Sequence, residues 1–490
     1  MSANGNNATP PSPAIAPGAE EIDTAAVARE LGERWPGGVD PRIPALVPGF
    51  DAPFFQAGLA GYSDAAMRIL ARRHGAPFAV TEALLDRMLL GGGHGFDKAD
   101  LALIAEALPV SAEDQPLAGQ IIGSDPDEMA AAALKMIEQA TRGDKQYRSM
   151  AYGDGPRPGG TDPRWVGARH EEGRLETCST RSEGDCSTDG EEDCTPEALL
   201  VPENYDPRIV FHGRVVGERR PATEGTDGQV GNLPHAGGPV GKPPHAGLAF
   251  ATIDVNLACP VKKIDRKQRG GHWLSEPDGA IELLKAVRAA VPERIVCTVK
   301  LRRGYDDTPE MARNFERIFN ASYELGYAWA TVHARTVEQK YLGPSRWTFL
   351  KDLCGRHRDK LVFGSGDVWD VHDIFKMMAY TGVTGVSVAR GCIGNPWIFR
   401  QARRMIAGGA PVVPTLDEQR AVLMEHFRLS IALNGEQVGG RMMRKFAIKF
   451  ARHHPDPEAV KVAMCCVSTL ADWNAALAAH YPQPAGAKGG

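Results

Sequence analysis

Six polar residues, Gln120, Asn256, Lys300, His333, Asp367 and Arg390, stand at or just past the end of a short apolar run, each on a different run. Any one of them alone would ordinarily be a polar group satisfying nearby backbone. Six at corresponding places are harder to explain that way, because burying polar groups is costly unless they have partners or a task. Two further segments are suited to an anion. Gly364-Ser365-Gly366-Asp367 follows the seventh run and Ala389-Arg390-Gly391-Cys392-Ile393-Gly394 follows the eighth. Glycines let backbone N–H groups approach phosphate oxygens closely, and a guanidinium forks onto them.

One cysteine is set apart by its surroundings. Cys259 follows Asp254-Val-Asn-Leu-Ala and precedes Pro260 and the basic cluster Lys262, Lys263, Arg266, Lys267 and Arg269, which ends at Gly270-Gly271. A free cysteine is usually a small buried hydrophobe. An exposed basic loop is a poor place for one, so the thiol is expected to face a site. A second basic pattern lies near the C-terminus, where Arg441, Lys445, Lys449 and Arg452 recur at helical spacing with Arg444 on the same segment. Met443, Ala447 and Phe450 are left for the opposite, core-facing side. A stripe of this kind fits either a solvated helix face or an RNA contact.

The elements that must position these residues can be read from the apolar pattern. Eight strand candidates are Phe54–Leu59, Phe78–Thr81, Leu117–Ile122, Phe250–Asn256, Ile295–Lys300, Trp329–His333, Leu361–Gly364 and Gly385–Ala389. Amphipathic helices such as Asp64–His74, Pro126–Ala140, Pro277–Val291, Pro309–Leu325 and Val371–Tyr380 lie between most of them. Eight alternating units predict an α/β fold, a (β/α)₈ TIM barrel over residues 51–410 whose strand C-termini converge on one mouth. A doubly wound open sheet is the alternative. Residues 1–50 read as a mostly disordered tail and linker with one helix-like patch from Asp23 to Arg34. Between the third helix and the fourth strand about a hundred residues intervene where a few would do. This low-complexity insert, about 141–247, is expected at the N-terminal face of the barrel, with no catalytic role. Its Cys178, Cys186 and Cys194 lack a nearby fourth ligand and make a poor zinc site, so no metal is expected. Residues 411–480 read as a small all-α domain of three or four helices.

The 490 residues are 43% hydrophobic and 24% charged, the composition of a soluble globular protein. No apolar run reaches the ~18 residues that a membrane span needs, and the N-terminus lacks a secretory layout. A cytoplasmic protein, a monomer without membrane association, is the expectation. Nine cysteines without a small-scaffold pattern fit a reducing compartment. The net charge of −5 would suit a nucleic-acid binder poorly if charge were evenly spread, but the basic clusters are local.

These segments resemble the tRNA-dihydrouridine synthases. Asn256-Leu-Ala-Cys-Pro-Val-Lys-Lys-Ile264 is similar to that family's catalytic-cysteine motif, and Gln120-Ile-Ile-Gly-Ser-Asp-Pro126 to its strand-three motif. Thr298-Val-Lys-Leu-Arg302, Val332-His-Ala-Arg-Thr-Val-Glu-Gln339 with Tyr341 and Gly343, and Arg390-Gly-Cys-Ile-Gly-Asn-Pro-Trp397 are family-like too. The resemblance spans roughly 53–123 and 248–477. It implies FMN as cofactor, reduced by NADPH (or NADH), and tRNA as partner. Carried over by position, Gly58, Leu59, Ala60, Gln120 and Asn256 would line the flavin and Lys300 and His333 would touch it. Ser365, Gly366 and Asp367 with Ala389, Arg390 and Gly391 would hold its phosphate. Cys259 would be the general acid that protonates C5 of uracil after hydride reaches C6. The basic loop, Arg335 and the C-terminal basic helix would hold the tRNA.

The resemblance is not complete. Gly58-Leu59 replaces the family's Pro-Met, Ser365 replaces an Asn, and His272-Trp273 makes the cysteine loop bulkier. Two other readings stay open: an FMN-dependent barrel reductase of a free pyrimidine or orotate-like molecule, and a non-catalytic tRNA-binding protein that kept the barrel.

Overall fold

Strands buried on both faces need continuous apolar runs, and the sequence supplies eight of them in parallel. A computed structural model describes residues 21–92, 94–140, 145–152, 248–467 and 469–482. The strands are β1 (Phe54–Gln56), β2 (Ala79–Val80, continued at Leu84–Leu85), β3 (Leu117–Ile122) and β4 (Phe250–Leu257). They are followed by β5 (Val296–Arg302), β6 (Trp329–His333), β7 (Leu361–Ser365) and β8 (Gly385–Val388). Every neighbour pair is parallel, and β1 pairs with β8, so the sheet closes into the predicted (β/α)₈ barrel rather than an open sheet.

The outer helices follow the expected pattern and carry the expected signals. Pro126–Glu138, Pro277–Ala290 and Pro309–Glu324 each begin with proline at the first helical position, where a missing N–H costs nothing. Asp64, Asp125 and Asp370 cap their helices by accepting backbone N–H bonds.

The N-terminal segment differs from its expectation. Residues 24–34 form the helix anticipated, capped by Asp23, but residues 35–50 are not a loose linker. Val39, Ile43, Val47 and Phe50 are buried with Phe55, Phe78, Trp329 and Phe363 in a cluster of their own. Phe50 stacks on Phe78 at 4.7 Å between ring centroids and meets Phe363 at 5.7 Å and Trp329 at 6.1 Å. The segment thus closes the bottom of the barrel with an aromatic plug. Apolar residues at 39, 43, 47 and 50 already held that signal.

The insert was expected to start near 141, yet residues 145–152 form a further helix packed through Tyr147. Its three cysteines lie outside the described residues. The C-terminal region is all helical, as expected: Leu416–Asn434, Glu436–Phe450, Pro457–Cys466 and Leu470–His480. Met443, Ala447 and Phe450 are buried. This domain docks on the barrel through Tyr62 against Phe446 and Trp397 against Phe450, at 5.4 and 5.6 Å between centroids. Among the described residues no helix is long and apolar enough to cross a membrane.

Candidate active site at the barrel mouth

Strand register brings the polar residues into rows. Gln120 pairs with Asp254 and Asp254 with Thr298, Asn256 pairs with Lys300, and one level higher Arg302 pairs with His333 and His333 with Ser365. Residues in register on parallel strands face the same side. Gly58, Gln120, Asp254, Thr298 and Lys300 accordingly line one recess in the mouth, whose floor is the aromatic plug at Phe55, Phe78 and Trp329.

The recess is shaped by glycines. A Cβ on Gly58 would sit 2.3 Å from the Thr81 carbonyl oxygen and 3.3 Å from Gln120 Oε1, so only glycine fits beneath that face. The turn after it is held by Ser63, whose hydroxyl accepts from Leu59 N–H at 2.7 Å and donates to the Ala57 carbonyl at 3.1 Å. Leu59 is partly exposed and Ala60 exposed at the rim. On the opposite wall Gly366 has φ +110°, and a Cβ there would meet Ser345 Oγ at 2.4 Å. Gly391 lies against the Val368 carbonyl oxygen, 2.3 Å from where its Cβ would be.

Cys259 is partly exposed at the mouth. Its carbonyl accepts from Gly271 N–H at 3.0 Å, which folds the basic loop back over it. Burial pushes the thiol above its ordinary value, against the opposing effects of Val261 N–H, Lys300 and Arg302, so the sulfur keeps its proton at neutral pH. Burial and then Arg302 lower Lys300 to about 8. Burial, followed by Arg302, Lys300, Arg335 and Arg390, holds His333 well below its usual range, so the imidazole is neutral. Arg335 Nη1 lies 3.3 Å from His333 Nε2. Since a guanidinium can only donate, Nε2 accepts and the ring proton is assigned to Nδ1.

The wall formed by the β7 and β8 loops is an ion-pair lattice. Asp367 accepts two bonds from Arg335 Nη2, both 2.8 Å, and one from Ser345 N–H at 2.6 Å. Arg390 Nη2 is 3.5 Å from the same carboxylate. The Arg390 guanidinium lies between Trp369 and Tyr341, 4.5 and 5.0 Å from the ring centroids. Arg302 donates to the carbonyls of Ala258, Thr336 and Lys340 and stands 5.4 Å from the Tyr341 ring centroid.

The basic residues divide into two groups. Lys262, Arg266, Lys267 and Arg441 are exposed. Arg335 is buried, as is Arg269, which lies 3.5 Å from the fully buried Asp86 and 3.4 Å from Ser124 Oγ. Lys445 donates to the Gly61 carbonyl and lies 4.8 Å from the Tyr62 ring centroid, so it reaches the barrel instead of open solvent. Arg452 donates to the Gly391 carbonyl at 2.7 Å and Arg444 to the Val467 carbonyl. Lys449 is partly buried, with Arg452, Lys461 and Arg390 among the charges acting on it. Of the stripe read from spacing, Lys445 and Arg452 therefore face the seam between the domains, while Arg441 stays exposed and Arg444 is held within the helical domain. A cleft opens along that seam, walled by Gly61, Asp64 and Glu82 on one side and Leu433 and Met442 on the other.

Sequence reasoning passed over Asp254 and Arg302 as site residues. Both lie two residues from one that was chosen, Asn256 and Lys300, and strand alternation puts them on the same face. Trp273 is not a bulky presence at the mouth: it is buried, and its indole N–H donates to the Gly123 carbonyl at 3.1 Å.

Fold and site together define a (β/α)₈-barrel protein with a glycine-lined, cation-rich mouth covered by a helical domain. The family model described as dihydrouridine synthase (Dus) matches residues 246–481. A probable tRNA-dihydrouridine synthase of Mycobacterium leprae (strain TN) is 35% identical over 221 residues, 44% of this chain and 56% of that protein. One from Treponema pallidum (strain Nichols) is 33% identical over 206 residues, 41% of this chain and 60% of that protein. tRNA-dihydrouridine synthase B of Shewanella oneidensis is 33% identical over 194 residues, 39% of this chain and 58% of that protein. The matches thus span less than two thirds of these relatives. Among solved structures, a 2-naphthoyl-CoA reductase complex is similar at a TM-score of 0.40 and 10% identity, over 81% of this chain and 56% of that one, too distant to bear on chemistry. Over residues 246–481 the chain is therefore similar to the tRNA-dihydrouridine synthases.

Proposed function

We propose that this protein reduces the C5=C6 bond of a uridine in tRNA, using FMN and a nicotinamide donor, NADPH or NADH. The observation that carries the reading is the geometry of the mouth: Arg302 is in register with His333, Arg335 stands 3.3 Å from its Nε2, Arg390 is 3.5 Å from Asp367, and Lys300 is in register with Asn256, three residues before Cys259.

The residues present fit FMN. Gly58 lets the backbone pack closely on Thr81 beside Gln120 with no side chain at that position, and Gly366, Gly391 and Arg390 suit a phosphate. Gln120, Asn256, Lys300 and His333 would hold the ring system, with Leu59 and Ala60 at its edge. Ser365, Ala389 and the backbone about Asp367 would complete the phosphate end. When bound, FMN supplies hydride from N5 to C6 of the uracil.

The chain's own groups do the rest. Cys259 delivers the proton to C5, which its raised thiol pKa permits, since a thiolate would have none to give. Lys300 and Arg302 balance negative charge developing toward O4. Because a stacked uridine cannot reach the mouth, it must be extruded, costing a few kcal/mol that contacts elsewhere on the tRNA offset. The exposed Lys262, Arg266, Lys267 and Arg441 would make them, with Lys263, Arg444, Lys449 and Arg452 as further candidates.

The test uses the full chain supplied with FMN, NADPH and unmodified tRNA, with dihydrouridine read by mass spectrometry. Wild type is expected to form it, and Cys259→Ala to retain FMN while slowing formation by ~10²–10⁴, the range for loss of a general acid. Reduction of free uracil with tRNA left untouched would overturn the substrate, and undiminished turnover by Cys259→Ala would remove the thiol from the reaction.

A further inference from the structure

Along the wall of the recess a chain of hydrogen bonds crosses three strands. Thr298 Oγ1 donates to Asp254 Oδ1 at 2.6 Å, and Gln120 Nε2 donates to Asp254 Oδ2 at 2.7 Å. Asn256 Nδ2 donates to Gln120 Oε1 at 2.8 Å, and Ala258 N–H donates to Asn256 Oδ1 at 2.9 Å. All five groups are buried. The last link holds the turn immediately before Cys259.

The direction of this chain is not free. An amide can turn end for end, because its oxygen and nitrogen are nearly the same size, and only its partners decide which way it points. Gln120 and Asn256 could both reverse together if nothing anchored them. Two ends anchor them: Ala258 N–H can only donate and so takes the Asn256 oxygen, and Asp254, whose carboxyl is raised by burial against the opposing Thr298 and Gln120 bonds and Lys300 charge, accepts only when ionised and then takes the Gln120 nitrogen. The Gln120 oxygen and the Asn256 nitrogen are then left to face each other. Each amide keeps one further hydrogen and one further lone pair for a ligand, and their positions follow from the same choice.

We propose that Asp254 is a positioning residue: together with Ala258 N–H at the far end, it holds the Gln120 and Asn256 amides in one orientation, and through Asn256 the turn that presents Cys259. The inference rests on the FMN reading for one of its two measurements and is independent of it for the other. It also separates polarity from packing. Asparagine at 254 can place its oxygen toward Gln120 and its nitrogen toward the Thr298 hydroxyl, which is able to accept, so the sense of the chain survives. Leucine has much the same size but leaves Gln120 Nε2 and Thr298 Oγ1 without partners.

The experiment compares Asp254→Asn, Asp254→Leu, Gln120→Leu and the double variant Asp254→Leu/Gln120→Leu in the full chain. FMN affinity is read by fluorescence, and alkylation of Cys259 by iodoacetamide is read on its own peptide by mass spectrometry. Asp254→Leu is expected to weaken FMN binding by about ten- to hundredfold, the worth of a hydrogen bond to a charged group, and to change the Cys259 alkylation rate severalfold. Asp254→Asn should stay within about threefold of wild type in both. In the Gln120→Leu background, Asp254→Leu should add little to the loss of FMN affinity, since the two act as one unit.

Asp254→Leu behaving as wild type, Asp254→Asn as damaging as Asp254→Leu, or fully multiplicative losses in the double variant would each overturn the proposal. Should wild type itself take up no FMN, the cofactor reading fails, and alkylation alone decides: an unchanged Cys259 rate in Asp254→Leu sinks the positioning role, and a changed rate restored in Asp254→Asn upholds it.

Discussion

Arg335→Leu is the perturbation that separates most sharply what spacing suggests from what geometry does. Read from the sequence, Arg335 is a cation near a mouth and belongs with the RNA contacts. In the fold its side chain is 2% exposed, that of Asp367 is 8% exposed, and two 2.8 Å bonds join them. The same guanidinium holds the Gly343 carbonyl and faces His333. Removing one partner of a buried pair costs about 3–5 kcal/mol, because the remaining charge is left desolvated. Here Ser345 N–H and Arg390 still hold Asp367, which puts the loss near the lower end, about 3 kcal/mol. In urea, with a slope of about 3 kcal/mol/M, that moves the unfolding midpoint down by about 1 M. Far-UV circular dichroism of the full chain reads it directly, with the exposed Arg441→Leu as a control expected to stay within about 0.5 kcal/mol. The salt dependence of tRNA binding should be the same in Arg335→Leu as in wild type. A midpoint shift below about 0.3 M, the size an exposed ion pair would give, together with a flattened salt slope, would refute the assignment and return Arg335 to the RNA surface.

Charge reversal at Lys262, Arg266, Lys267 and Arg441, all exposed, should weaken tRNA binding and reduce the slope of log K against log salt by about 0.9 for each phosphate no longer neutralised; an unchanged slope would remove this face from the interface. FMN affinity should fall as pH rises through about 8, where Lys300 loses its charge, and Lys300→Met should abolish that inflection, as fluorescence titration from pH 6 to 10 can decide. The sign for stability is the reverse. The folded value lies below the ordinary 10.5, so the charged lysine costs stability below pH 8, and the cost disappears as pH rises toward 10.5. Lys300→Met should therefore unfold at higher urea than wild type at pH 7.

Much of the frame was legible because each signal was local. The runs 117–122 and 329–333 are strands over their full predicted length, since apolar content and strand length are visible in the chain itself. What could not be read was where charges point. Lys445 has the spacing of a surface stripe, but its partner is a carbonyl 384 residues away. Arg269 sits in a basic loop, but Asp86 draws it inward. A sequence displays a cation and hides the partner that uses it. Asp254 and Arg302 are misses of another kind: their alternation with Asn256 and Lys300 was in view, and the choice of one residue per strand end discarded it.

The electrostatics of the mouth give the arrangement its physical sense. Four cations, Lys300, Arg302, Arg335 and Arg390, act on one imidazole, while the carboxylates among them are Asp254 and Asp367. The chain as a whole carries −5, so the positive excess is local and sustained against the net charge. Burial is the first cause that lowers Lys300 to about 8 and Arg302 to about 10, and in both cases a neighbouring cation pushes the same way. Such a site holds unfavourable charge until an anion enters it. A phosphate against the β7 and β8 loops, and negative charge arising on a ring above Lys300, would each relieve that repulsion. Relief is greatest where charge develops during reaction, which is how a preorganised cationic pocket lowers a barrier.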